Sequence, residues 1–256
     1  GGASQSQPTP SGNGSAAPPL DAAAIAENNR GVGLMGRFEY AAARDAFAAL
    51  AERYPSQADL TVNLAIATLN RQQEGDETAA LGMAEGVLDR EPGQLRARYV
   101  AGLLRLYLSS PAEAVAHFQA VAEGDPTDAY AAYYLGQCLA QQGDQAQALA
   151  WYRKALEKDP YLRSAYYGAF QAEQRLGHRD QARPLMESYQ RLANNPQARL
   201  AEFKYTRMGP KAEAMVLGAI FAFPPLIVYI AIPKILDRYD PEPWWCLAMA
   251  FMWGAL

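Results

Sequence analysis

Between residues 21 and 196 the apolar positions recur at intervals of three and four, the spacing of helices with one buried face. The helical stretches themselves recur. Ala80, Ala114, Ala148 and Ala182 each stand 34 residues from the next. Pro92, Pro126 and Pro160 form a second column in phase with the first, and Tyr99, Tyr133 and Tyr167 a third. Several columns sharing one period predict an all-α solenoid of helical hairpins, each hairpin burying its faces against its neighbours.

The clearest repeat is AAYYLGQCLAQQGDQAQALAWYRKALEKDP, residues 131–160. Leu135, Gly136 and Leu139 mark its first helix, Gly143-Asp144 its turn, and Ala148, Tyr152, Ala155 and Leu156 its second helix. Gly136 and Ala148 are small, which lets the two helices approach closely. Tyr152 is large enough to fill the gap to the next hairpin. Pro160 cannot continue a helix and resets the chain for the next repeat. The preceding repeat matches through Gly102, Ala114, Phe118, Asp125 and Pro126. The following one matches through Gly177, Ala182 and Met186 but carries Phe170 where Gly102 and Gly136 stand. Upstream, Leu64, Ala65, Ala80, Leu88 and Pro92 form a repeat with a longer turn around residues 72–77. Tyr40, Ala43, Phe47, Leu50 and Pro55 form the most degenerate one.

This pattern resembles the tetratricopeptide repeat (TPR). The resemblance implies a right-handed α-solenoid of about five hairpins whose first helices line a concave, protein-binding groove. It places Arg96, Tyr130 and Ser164, then Tyr99, Tyr133 and Tyr167, then Leu103, Gln137 and Gln171 on that surface. Tyrosine offers a large contact area with little rotamer entropy to lose. The same tyrosines would also serve to pack neighbouring hairpins together. On the groove reading, Tyr133→Ala weakens partner binding and leaves folding nearly intact. Grooves of this family that clamp a chaperone's C-terminal carboxylate use lysine and asparagine where Tyr99, Leu103, Tyr133, Gln137, Tyr167 and Gln171 stand here, so a neutral or mixed extended peptide, a helix or a folded subunit is the expected partner.

The ends differ in composition. Residues 1–20 are rich in Ser, Pro, Gly and Gln without an apolar face, which predicts a flexible tether like the start of a mature bacterial lipoprotein. Residues 197–214 are charged and mixed, and a capping helix that breaks at Gly209-Pro210 is the expectation for them. Residues 215–233 carry no charge and include Pro224-Pro225, which predicts a kinked transmembrane helix. A polar turn follows. Trp244 and Trp245, suited to the membrane interface, then open a second apolar run, expected to be an incomplete second helix of a membrane hairpin over 215–256. Asp237, Arg238, Tyr239, Pro241, Glu242, Pro243, Trp244, Phe251, Trp253 and Gly254 resemble the first membrane hairpin of PrsW-type intramembrane proteases. That resemblance brings no active site, because the family's paired glutamates have no counterpart in this sequence.

The formal charge of −4 and the absence of a basic run argue against a nucleic-acid partner. Cys138 and Cys246 are expected to be small buried hydrophobes, and His117 and His178 solvated residues. No metal site, cofactor or catalytic constellation is legible. The expected function is a membrane-anchored scaffold that holds a protein partner and touches lipid. The alternative is the front of a PrsW-like protease whose TPR domain recruits substrate. Arg199, Lys204, Arg207 and Lys211 ahead of the apolar run favour a cytoplasmic repeat domain. The tether favours a periplasmic one, which is the expectation taken here, with the cytoplasmic side left open.

Overall fold

A computed structural model describes residues 19–218. The residues up to Val216 form one compact unit, and Leu217 begins a second. Ten α-helices stand among the described residues: α1 (Ala22–Gly36), α2 (Tyr40–Arg53), α3 (Ala58–Arg71), α4 (Asp76–Arg90), α5 (Leu95–Tyr107), α6 (Pro111–Gly124), α7 (Ala129–Gln141), α8 (Gln145–Lys158), α9 (Arg163–Arg175) and α10 (Arg179–Arg191). Each packs on the next in five hairpins, and α3, α5, α7 and α9 also touch in sequence. The first helix of each hairpin therefore belongs to an inner layer.

Local chemistry sets the boundaries. Asp21, Gln94, Asp128 and Asp144 each accept a hydrogen bond from a first-turn N–H, which caps α1, α5, α7 and α8. The α3–α4 turn adds left-handed Gly75 to the left-handed residue that every hairpin turn contains: Phe38, Gln72, Ser109, Gly143 and Gly177. Of those five only the last two are glycines, the residue that takes this conformation without a Cβ penalty.

The alanine column is buried throughout. It lets the paired helices close on large residues opposite. A Cβ on Gly136 would come 2.9 Å from the Tyr152 ring. A Cβ on Gly168 would come 2.7 Å from the same ring. Tyr152 thus fills the space between its own hairpin and the next, as its size suggested. Gly168, two residues before Phe170, supplies the missing small residue of the last repeat. Cys138 is buried, and burial pushes its thiol up to about 12. His117 departs from the expected solvated role: it is half-buried on α6, and burial pulls its pKa down. His178 sets its Nδ1 2.8 Å from the buried Glu173 carboxylate, which Arg153 also holds.

Beyond α10 and a short 3₁₀ turn at Leu192–Asn194, the expected capping helix does not form. Residues 197–216 instead run without α-helix across the inner layer, interrupted only by a 3₁₀ turn at Pro210–Ala212. They form a strap. Met215 and Val216, expected to open a membrane helix, are non-helical and end that strap. No helix among the described residues is long and apolar enough to cross a membrane. The apolar run from residue 219 on, the PrsW-like turn, Cys246 and the interfacial pair Trp244 and Trp245 lie outside the described residues, as does most of the expected tether.

Candidate protein-binding groove

The inner layer carries the columns expected to face a groove, and the strap lies on them. It starts on the last hairpin and ends on the first. At its start Arg199 exchanges main-chain hydrogen bonds with Tyr161 and Arg163 at 2.8 Å each, and its guanidinium meets Asp159 at 2.8 Å. The Ser164 hydroxyl accepts from the Ala201 N–H at 2.9 Å. A compact turn at residues 202–207 then places Phe203 flat on Tyr107 of α5, with centroids 4.1 Å apart, and Tyr205 edge-on to Tyr40. The chain returns over α5 and α7, where Tyr99 donates to the Met208 carbonyl and Lys211 enters between Asp125 and Asp128. It ends over α3 and α1, where Asn63 and Asn28 bond Met215.

The expected groove residues fall into three groups. Arg96, Tyr99, Tyr130 and Ser164 meet the strap. Arg96 donates to Asp59 and Asn63 at 2.8 Å each and to the Glu213 carbonyl at 3.0 Å. Burial pulls its guanidinium below the ordinary value although Asp59 opposes this. Tyr99 is fully buried, edge-on to Phe118 and Tyr134, and burial drives its phenol well above the usual range. The second group is core. Leu103 is buried, and Tyr133 is only 8% exposed, wedged against Tyr134 and Tyr152 with its phenol pushed by burial up to about 12. The third group is open. Tyr167, 41% exposed, joins Gln137, Gln171 and Arg175 around a cleft of about 630 Å³ closed on one side by Leu200 and Glu202 of the strap.

Sequence reasoning missed the residues that grip the strap most specifically. Asn28 and Asn63 are fully buried amides in otherwise apolar helix faces, and that misfit was the available signal. Asp125 and Asp159 stand directly before Pro126 and Pro160 of the proline column. Asp125 and Asp128 form an acidic lip around Lys211, and Asp159 holds Arg199. Asp125 is held down to about 2, first by its bond to Lys211 and then by Thr127. The pocket is tied to the solenoid itself: Asp128 caps α7, and Asp125 accepts from the Thr127 hydroxyl at 2.7 Å. Among the described residues no group of three His, Cys, Asp or Glu is placed to hold a metal ion.

A tetratricopeptide-repeat family profile matches residues 69–129 and 99–162. The fold is similar to solved MamA structures. MamA from Desulfovibrio magneticus RS-1 superposes with a TM-score of 0.62 at 20% identity, covering 70% of this chain and 99% of that one. A double mutant of MamA RS-1 gives 0.61 at 20% identity, with coverages of 68% and 96%. MamA AMB-1 gives 0.58 at 19% identity, with coverages of 65% and 96%. No curated protein matches the chain by sequence. The fold is thus a TPR-like solenoid of five hairpins.

Proposed function

We propose that this chain is a protein-interaction scaffold whose inner helical layer receives an extended polypeptide. One observation carries the reading: the layer already holds a polypeptide, residues 199–215, through bonds to its main chain. Buried main-chain groups need partners. Ser164, Arg96, Asn63 and Asn28 supply them from four different helices. That is a surface able to hold a polypeptide by its main chain, while the open cleft around Tyr167 leaves room for a partner to make first contact.

Membrane attachment, within this reading, rests on the uncharged run up to residue 233, and a periplasmic location on the composition of residues 1–20. A substrate-recruiting role beside a PrsW-like hairpin would use the same groove.

The test is photo-crosslinking in the native cell with the reactive side chain placed at Tyr167 or, as a control, at Glu157 on the outer face of α8. The expected result is a discrete protein adduct from Tyr167 alone, lost when Gln137 and Gln171 are both changed to Glu. Identical adducts from both positions would contradict the proposal.

A further inference from the structure

The strap presents the groove with a sequence, and the groove constrains that sequence position by position. Lys211 Nζ lies 2.5 Å from Asp125 and 2.8 Å from Asp128, with the lysine side chain 17% exposed. Because other bonds hold both carboxylates, the pocket is preorganised for a cation. Two residues earlier, Gly209 has φ +103°, and a Cβ there would overlap the Tyr99 hydroxyl and stand 3.0 Å from Tyr130. No other residue type fits. At the end of the 3₁₀ turn Pro210–Ala212 the chain extends from Glu213, and burial alternates: Ala212 and Ala214 are buried, whereas Glu213 and Met215 are partly exposed. The period of two is that of extended chain. Both buried positions carry alanine. Arg96 holds the carbonyl two residues after the lysine, and Asn63 holds both main-chain groups four residues after it. Pro210 is exposed.

We infer that the groove recognises, on its partner, a segment of pattern Gly-x-Lys-small-x-small that turns at the lysine and extends after it, and that Gly209–Ala214 is the chain's own copy of that ligand. The inference rests on the scaffold reading above and specifies the partner for it. The tethered copy acts at an effective concentration in the millimolar range, so a partner carrying the pattern gains access by displacing it. The acidic lip supplies discrimination, since a carboxylate in place of the lysine would face two like charges.

The experiment uses the full chain and a fluorescent peptide of residues 206–216, read by anisotropy. The unmodified chain is compared with a Gly209→Val/Lys211→Glu variant, in which the strap no longer fits. The expected result is binding to the variant at least about tenfold tighter than to the unmodified chain. Peptides carrying Lys211→Glu or Gly209→Val should lose about tenfold or more, while Pro210→Ala should stay within about threefold. Unchanged helical circular dichroism qualifies the variant. If helicity falls, Lys211→Met, which removes the charge without adding repulsion, replaces it. Equal binding of all peptides would overturn the pattern and leave the scaffold reading standing. Binding of none of them to either chain would overturn both.

Discussion

Asn63 holds Met215 by both of its main-chain groups: the amide nitrogen donates to the Met215 carbonyl at 2.9 Å, and the amide oxygen accepts from the Met215 N–H at 2.9 Å. The same side chain also donates to Asn28 and accepts from Arg96. One buried amide therefore links three inner helices to the end of the strap, 152 residues away in sequence. Asn63→Ala leaves several buried polar groups unpartnered at once, so the expected cost is about 1–3 kcal/mol. Urea denaturation followed by far-UV circular dichroism measures it. A change within ~0.3 kcal/mol would show that these bonds do not hold the strap.

Gly209 is the strap's tightest point, because left-handed backbone and a filled side-chain space coincide there. Gly209→Val should free residues 199–216 and leave α1–α10 folded. Limited trypsin digestion should then cut at Arg207 and Lys211 at least about tenfold faster, since cleavage follows the population of the opened segment. Equal cutting rates in the two proteins would contradict the docking.

Tyr133 and Tyr167 occupy equivalent repeat positions with opposite fates. Tyr133→Ala removes a ring from the core and should cost about 3 kcal/mol or more. Tyr167→Ala should cost well under that, within about 1 kcal/mol, and yet reduce crosslinking or partner binding. The reading that made Tyr133 a clean binding probe gives way to Tyr167, because Tyr134 and Tyr152 pack against the former. Thermal melts of the two variants decide the matter, and equal melting temperatures would overturn the assignment.

The Lys211 contact has a defined pH window. Asp125 is depressed from 3.8 to about 2, so its contribution is complete above the ordinary carboxylate range and lost as pH falls through about 2. For Lys211 burial acts downward, but the two carboxylates outweigh it and its pKa rises above 10.5; its contribution is lost as pH climbs through that raised value. Strap protection should hold from about pH 4 to 10. Stability of the strap in Lys211→Met should lack both transitions, which proteolysis with pH-tolerant enzymes can check.

The repeat columns made the hairpins legible because each repeat solves the same packing problem: a small residue facing a large one, then a helix stop. Gly136, Ala148 and Tyr152 announce a close helix pair from their sizes alone. The strap left no such trace. Residues 197–216 have no period, and their partners lie up to 187 positions away, as for Asn28 and Met215. Local spacing cannot register contacts of that range. The charged residues Arg199 and Lys211 look solvated in sequence until Asp159, Asp125 and Asp128 are brought beside them. Asn28 and Asn63 were the local hint, since a fully buried amide such as Asn63 amid Val62, Leu64 and Ile66 needs a hydrogen-bond partner.

Hydrogen exchange of the strap amides tests the central claim most directly. Arg199, Ala201 and Met215 donate to Tyr161, Ser164 and Asn63 of the solenoid, and Ala214 donates to Tyr205 within the strap. If the inner layer holds the chain's own segment, these four amides should exchange at least about a hundredfold more slowly than in an unstructured peptide. The protection at Ala214 and Met215 should then disappear in Asn63→Ala. Exchange at the unstructured rate in the unmodified protein would mean that the groove is empty and that the strap is no ligand of it.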